Sequence, residues 1–600
     1  RLEWNSLPGM TGMLAIHMVN EWWNSPWFDT DLSRLPNRTQ LLLWKVDSGE
    51  YRCIVPLVDG GYKCDLNART GRLGADLTSH DCNRLSLDAA AFVVGTGDDP
   101  FELLRRCVES GMIASGLPRW DKPYPEVFEY IGWCTWNAMY DKVNEKDILR
   151  QLRAFNKAKL PVRFLLVDDG WSPTANNKLT GLGIDRKKFP NGLRVLIDTA
   201  REAHGIWWTG MWHTITGYWD GVEKGSDAWN ETRDSLFSAK KGTTVPYPDL
   251  GRGIGFWNRW HSWMRSEGVS FVKVDNQGSY YVHTAGDLPT GDANRGVQHA
   301  LDASASLNFN GWLLNCMCGN NESVWHWITS NVARTSDDFR PHRENWSNKH
   351  VMQNAYSSLL IGQICWPDWD MFWSSHPRAQ AYTAMHAVAG GPVYTADEVG
   401  KFDAAVLMPL IFSDGRLLRC DQPGLPTRDV LFVDARQTPV PVKVWNVVGD
   451  SGILGAFHAT DVETPITGSM RPSDVEGIGG ERFAIREFFS GETRLLGLDE
   501  AWEFTLEQYG QKLWTIVPIE DGIASIGLAD KLVSPAAIQA EYRGDSYAVE
   551  LYEGGDFLAY VEQKPRAVTL DGARAKYTWT DGWLSVKSKP GHSAVIVVEF

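Results

Sequence analysis

Three rhythms of apolar and polar positions follow one another along the 600 residues. Up to about Tyr124, short apolar runs such as Leu41–Val46, Tyr51–Val55 and Ala91–Val94 are broken by Gly, Asp and Asn. Runs of that length between turn residues predict antiparallel strands. A helix over Pro100–Cys107 is expected to close the segment, and Pro118, Pro123 and Pro125 mark a linker. From about Glu126 the rhythm becomes strand, loop, helix. Predicted strands fall at Phe128–Trp136, Val162–Trp171, Ile206–Thr214, Val269–Gln277, Gly311–Met317, Val332–Asp338, Ile364–Phe372 and Pro392–Val399. Predicted helices between them begin near Asn144, with Asp147 as its capping partner, and run over Gly192–Ala203, Gly255–Ser266, Val297–Ala305, Glu322–Thr329, His350–Ile361 and Arg378–Val388. Eight strands alternating with helices is the count that closes a (β/α)₈ barrel. An open doubly wound sheet would carry a Gly-rich phosphate turn after its first strand, and Gly132-Trp133-Cys134-Thr135-Trp136 offers none. Beyond about Val442 the helical rhythm stops and strand-like pieces predict a C-terminal β-sandwich. The expected fold is multidomain α/β plus β: a β-sandwich domain over 1–124, a (β/α)₈ catalytic barrel over 125–435, and a C-terminal antiparallel β-sandwich domain over 436–600.

Composition narrows the function. The net charge of −15 argues against a polyanion-binding surface, so neither nucleic acid nor an acidic membrane is an expected partner. No apolar run reaches the roughly 18 residues of a membrane span. Nine scattered cysteines make a dense disulfide framework improbable and favour a reducing, cytoplasmic setting. Cys316-Met317-Cys318 is too tight for a zinc knuckle, and no metal or cofactor is expected. The chain starts at Arg1 without a basic-then-apolar leader. The outlying number is 29 Trp, more large rings than a core requires.

Barrel enzymes carry their reactive groups at the C-terminal ends of the strands. Those ends hold Asp168 and Asp169, Asp275, Asp337 and Asp338, and Asp368 and Asp370. One such Asp could simply cap the next helix. Acids gathered on one rim by four strands cost stability through mutual repulsion, which active sites accept. Period-two geometry puts Lys273 and Asp275 on the same side of their strand, facing the barrel axis. A neighbouring ammonium favours an ionised, nucleophilic Asp275, although a structural ion pair would look the same. One of Asp337 or Asp338 would then stay protonated among like charges and act as general acid, the pairing that glycoside cleavage needs. Trp133, Trp136, Trp171, Trp207, Trp208, Trp212 and Trp369 lie on the same strands, and an indole plane complements the apolar face of a sugar. Any single one of them could equally be core.

At these residues the chain resembles glycoside hydrolase family 36, in its raffinose synthase / seed-imbibition-protein branch of alkaline α-galactosidases. The matching stretches are Gly132–Trp136, Val167–Trp171, Met211–Trp219, Lys273–Gln277, Arg334–Phe339, Pro367–Phe372 and Pro423–Asp429, in the family's order across roughly Glu126 to Val447. The resemblance implies a retaining double displacement on α-galactosides. Asp275 is then the nucleophile and Lys273 its charged neighbour. Asp168 and Asp169 hold the galactosyl 4- and 6-hydroxyls. The acid/base falls in Ser336-Asp337-Asp338, with register favouring Asp337 over Asp338. Cys316 and Gly319 lie near the sugar's 2-position; His213, Trp136, Arg334 and Asp368 complete the implied binding set with Trp133 and Trp171. As read from the family, plant raffinose synthases carry a long insertion between the second-strand acid pair and the nucleophile strand. Here about a hundred residues separate Asp169 from Asp275, ordinary for two βα units. That leans the expectation toward an exo-α-galactosidase that hydrolyses oligosaccharides. The alternatives are galactosyl transfer to a sugar acceptor, an α-N-acetylgalactosaminidase, a metal-dependent barrel and a non-catalytic sugar-binding protein. Self-association is left open by the sequence.

Overall fold

A computed structural model describes residues 1–600 except 5, 6, 8, 113–115, 344, 544 and 545. The chain divides into two compact units. The first comprises Arg1–Arg340, Tyr356–Trp373 and Val393–Phe402; the second comprises Pro341–Ala355, Ser374–Pro392 and Asp403–Phe600.

At the centre of the first unit eight strands pair in parallel and in sequence order: Gly132–Cys134, Phe164–Val167, Trp208–Thr214, Phe271–Asp275, Leu313–Asn315, Val332–Arg334, Trp366–Asp368 and Tyr394–Thr395. The eighth pairs with the first. A parallel bridge between Phe372 and Thr395, with the Ala396 amide donating to the Phe372 carbonyl at 2.8 Å, links the segment after the seventh strand to the eighth. The pairing therefore runs around a closed ring. Every strand is shorter than predicted, because apolar residues continue into the turns: Glu126–Glu129 is a 3₁₀ turn and Trp136–Met139 a short helix. The helices lie where periodicity placed them, several longer, such as Leu250–Glu267 and Thr290–Phe309. The helix expected over Glu322–Thr329 shrinks to Asn321–Val324. Asn144 caps Glu145–Ala158 by accepting from the Asp147 amide at 3.0 Å.

Parity along the strands decides what enters the barrel. A floor forms from Phe128, Phe164 and Phe271, whose rings meet edge-on at 5.5–5.7 Å. Gly132 and Gly210 leave room for it, since a Cβ on either would collide with the ring of Phe164 or Phe271. Above the floor come charged side chains.

The N-terminal strands form one nine-stranded antiparallel sheet rather than two separate ones. It branches at Thr39–Val46, which pairs with Tyr51–Pro56 along its length and with Tyr62–Asn67 at one end. Residues of both branches, including Leu42, Trp44, Ile54, Cys64 and Leu66, share one buried core. In the second unit the β-structure starts already at Leu425–Pro426 and is spread over sheets of six, two, four and five strands, not a single sandwich. Among the described residues no helix is long and apolar enough to cross a membrane.

Candidate active site

The charged layer is built by residues of matching parity on adjacent strands. Trp212 and Lys273 are register partners, as are Arg334 and Asp368. Lys273 donates to Asp168 Oδ2 at 2.7 Å, with both side chains almost completely buried. Asp168 is held from three further sides, by the Asp169 amide, by the Cys134 thiol, and through its own amide donating to Thr135 Oγ1. The Lys273 ammonium thus pairs directly with Asp168 and acts on Asp275 only through space.

Asp275 ends the fourth strand. Its Oδ2 accepts from Trp212 Nε1 at 2.9 Å and its Oδ1 from the Asn276 amide at 2.9 Å. Burial pushes its carboxyl above the ordinary value; Lys273 and the Trp212 indole pull it down, while Asp338 and Asp168 push it up. The expectation that Lys273 would hold this carboxyl low is corrected: desolvation outweighs the ammonium in the free protein.

Asp169 sits beside Asp168 but turns to the loop after the third strand. It accepts from Tyr218 Oη at 2.9 Å and Trp219 Nε1 at 3.1 Å. Burial raises its carboxyl to about 6 against these two donors. Across the barrel, the buried Arg334 donates to Asp338 Oδ1 at 3.1 Å and pairs with Asp370 at 2.7 Å. Burial raises the Asp370 carboxyl in spite of that guanidinium. Asp368 accepts from Tyr394 Oη at 2.7 Å and is completely buried, its carboxyl also raised by burial. The two candidate acids differ in surroundings. The Asp337 side chain is 13% exposed, with Arg340 at 3.4 Å and the Asp338 amide at 2.8 Å. The Asp338 side chain is 37% exposed and shares Arg334 with Asp370, and its charge acts on Asp275.

Carboxylates of this kind, on a ring of parallel strands, form the catalytic layout of many chemistries, so kinship has to narrow the choice. The profile of the family described as "Raffinose synthase or seed imbibition protein Sip1" matches residues 9–188 and 176–587. The chain belongs to that family.

Among relatives of this raffinose synthase/Sip1 member is a probable galactinol–sucrose galactosyltransferase of Arabidopsis thaliana. It is 27% identical over 655 residues, covering 92% of this chain and 85% of the relative. A galactinol–sucrose galactosyltransferase of Oryza sativa is likewise 27% identical, covering 96% and 86%. A stachyose synthase of Pisum sativum is 23% identical over 753 residues, covering 97% and 88%. Both the 655- and the 753-residue matches are longer than the 600-residue chain, so these relatives carry segments that it lacks. Among solved structures, an α-galactosidase of Thermus thermophilus in complex with p-nitrophenyl α-D-galactopyranoside superposes with a TM-score of 0.51 at 14% identity. It covers 73% of this chain and 90% of that one, and supports the fold alone.

Of the residues expected from sequence, the layer brings together Asp168, Asp169, Lys273, Asp275, Cys316, Arg334, Asp338 and Asp368; Arg334 Nη1 lies 3.7 Å from Cys316 Sγ. Several others point out of the barrel. Trp133 packs on Phe155 and donates to the Asp397 carbonyl. Trp171 lies by Trp260 and Trp263. Trp369 donates to Ser358 Oγ. His213 stacks on Trp257 and meets His261 at 3.0 Å, burial lowering it to about 4. Trp133, His213 and Trp369 are each one position out of phase with an inward residue, and Trp171 lies beyond the end of the second strand. Trp207 and Trp208 lie at the opposite, N-terminal end of the third strand, against Tyr130. Trp136 remains half-buried after the first strand. Gly319 is closed off by the Trp22 carbonyl and the Asn24 amide, which a Cβ there would meet at 3.0 and 3.1 Å. Tyr218 and Trp219 stand within a matching motif that gives them no role of their own, and nothing local in the sequence marks Trp212 as the partner of Asp275 or brings Trp22 and Trp23 to this rim. Among the described residues no group of three His, Cys, Asp or Glu could hold a metal ion.

Proposed function

We propose that the protein is a retaining α-galactosyl-transferring enzyme: it moves the galactosyl group of an α-galactoside onto an acceptor sugar by way of a covalent galactosyl-enzyme. In this reading Asp275 attacks the anomeric carbon while Asp338 protonates the leaving oxygen. Asp338 then deprotonates the acceptor hydroxyl, which attacks the same face from which the aglycone left, so the α-configuration is retained. Asp169, with Tyr218 and Trp219 fixing its two oxygens, takes galactosyl hydroxyls beside the Lys273 ammonium. Asp168 orients Lys273, and Asp370 with Arg334 orients Asp338. The single observation that carries the reading is the Asp275 carboxylate, held at both oxygens and placed in the field of Asp338. Asp338 is preferred to Asp337 because it is held by Arg334, which also pairs with Asp370 and meets Cys316 inside the ring, whereas Asp337 lies against the half-exposed Arg340.

Transfer is put first because the relatives are named as galactosyltransferases and a stachyose synthase. Hydrolysis, with water as acceptor, is the second reading, favoured by the segments that this shorter chain lacks. No step calls on a metal or organic cofactor. The test is product analysis on galactinol with and without sucrose: a galactosylated sucrose supports transfer, free galactose alone supports hydrolysis, and neither product contradicts both. An Asp275→Asn variant should lose turnover, with azide restoring part of it as β-galactosyl azide.

A further inference from the structure

The loop Asn20–Asn24 of the N-terminal sheet reaches the C-terminal ends of the fourth, fifth and sixth barrel strands, and its seat is specific. Asn20 Oδ1 accepts from the amides of Trp22 and Trp23 at 2.9 and 3.0 Å, which fixes the turn. The Gly319 amide donates to the Trp22 carbonyl at 2.9 Å, and Asn24 Nδ2 donates back to the Gly319 carbonyl at 2.8 Å. Gly278 must be glycine for the loop to fit, since a Cβ there would run into the Glu21 carbonyl. Glu21 in turn accepts from Tyr281 Oη and pairs with Arg38 at 3.1 Å.

The two adjacent indoles have different fates. Trp23 is buried, its ring 5.3 Å from the Arg334 guanidinium that holds Asp338. Trp22 is half-buried, and its Nε1 donates to Asn276 Oδ1 at 3.1 Å and to Ser279 Oγ. Asn276 is the residue whose amide binds the nucleophile carboxylate. An indole serving only to pack the sheet on the barrel would be covered as Trp23 is. Trp22 instead has its edge fixed on the side chains of Asn276, which follows Asp275 in the chain, and Ser279, and part of its surface is left open.

From this geometry we infer that Trp22 is the platform for the sugar on the far side of the scissile bond, the leaving aglycone in the first half-reaction and the acceptor in the second. This rests on the galactosyl-transfer reading and deepens it. The galactosyl ring is gripped from the Asp169–Tyr218–Trp219 side, and its C1 must lie between Asp275 and Asp338. The ring beyond C1 then falls on the side of the fourth to sixth strands, where Trp22 offers the apolar plane that a pyranose C–H face stacks on. Substrate length specificity is thereby set by a domain that supplies no catalytic carboxylate.

The test compares two donors with the same galactosyl group: α-galactosyl fluoride, whose leaving group is too small to reach Trp22, and the disaccharide galactosyl-α-1,6-glucose. In Trp22→Ala the ratio of kcat/KM for the disaccharide to that for the fluoride should fall tenfold or more, mainly through the disaccharide KM. In Trp22→Phe, which keeps a ring but loses the Nε1 donor, most of that ratio should return. Fluoride turnover and a melting curve report whether each variant is folded. A ratio unchanged in folded Trp22→Ala, with both substrates falling together or neither falling, overturns the inference and makes the loop a scaffold. If the unsubstituted protein turns over neither donor, the galactosyl-transfer reading fails, and this inference with it.

Discussion

The inner and outer faces of the same eight strands are made from similar residues and do different work. On the inner face Trp212 donates to the Asp275 carboxylate; one residue later, His213 lies outside the ring, kept neutral by burial among Trp257, Trp260 and His261. Cys134 touches Asp168 from within, whereas Trp133 packs outward on Phe155. Asp368 lies within and Trp369 without. The inner face therefore accumulates charge that burial strains and that neighbours only partly relieve, while the outer face accumulates apolar area and stability. Aromatic content alone does not report which face a residue serves. Parity does.

That contrast can be broken most severely at the acid. Asp338→Asn should reduce turnover of a poor-leaving-group galactoside by about 10²–10⁴-fold, the usual contribution of a positioned acid/base. With an activated donor such as p-nitrophenyl α-galactoside, whose departure needs little acid help, azide should instead speed release of the galactosyl-enzyme, giving α-galactosyl azide. Asp337→Asn, whose carboxylate faces Arg340, should cost less than about tenfold, under ~1.4 kcal/mol of barrier. The reverse order would move the acid/base to Asp337.

On the outer face the expected loss is of a different kind. Trp133→Ala removes a completely buried indole and should destabilise the fold by about 3–5 kcal/mol, as large-to-small core changes do. Chemical denaturation measures this. KM for a galactoside in the fraction that remains folded should stay close to its original value. A raised KM with unchanged stability would return Trp133 to the sugar pocket.

The smallest effect sharpens the contrast within one strand. Trp212→Phe keeps the ring and deletes the hydrogen bond to Asp275, a bond to a charged group worth about 1.5–3 kcal/mol. The Trp212 indole lowers the Asp275 carboxyl, so its loss raises that carboxyl further. Asp275 must be ionised to attack. The acid limb of kcat/KM should therefore move to higher pH, while the basic limb stays in place. An acid limb that does not move would mean that the indole does not govern the nucleophile.

Much of this was legible in the sequence. Strand-and-helix alternation located the barrel, and period-two reading of Phe271-Val272-Lys273-Val274-Asp275 put Lys273 and Asp275 on its inner face. The register between neighbouring strands was not legible, because it is fixed by pairing across the ring rather than along the chain. Trp133 and His213, expected at the sugar, lie one position off the inward residues of their own strands, and Trp171 packs on Trp260 and Trp263 beyond the end of its strand. The direct partner of Lys273 was hidden for the same reason: Asp168 is 105 residues away in sequence. Trp22 lies 254 residues from Asn276, and no local pattern signals such a contact. Tyr218 and Trp219 stood within a recognised motif, and only the geometry of Asp169 gave them a task.

The central claim is that the carboxylate ending the fourth strand becomes covalently bonded to the sugar. It is tested most directly by trapping with a slow-turnover fluorinated α-galactosyl fluoride, followed by peptide mass spectrometry. A single galactosyl adduct on the peptide carrying Asp275, with loss of activity in step with labelling, is the predicted result. An adduct on Asp337, Asp338 or any other residue, or steady turnover with an inverted first-formed anomer and no adduct, would contradict it.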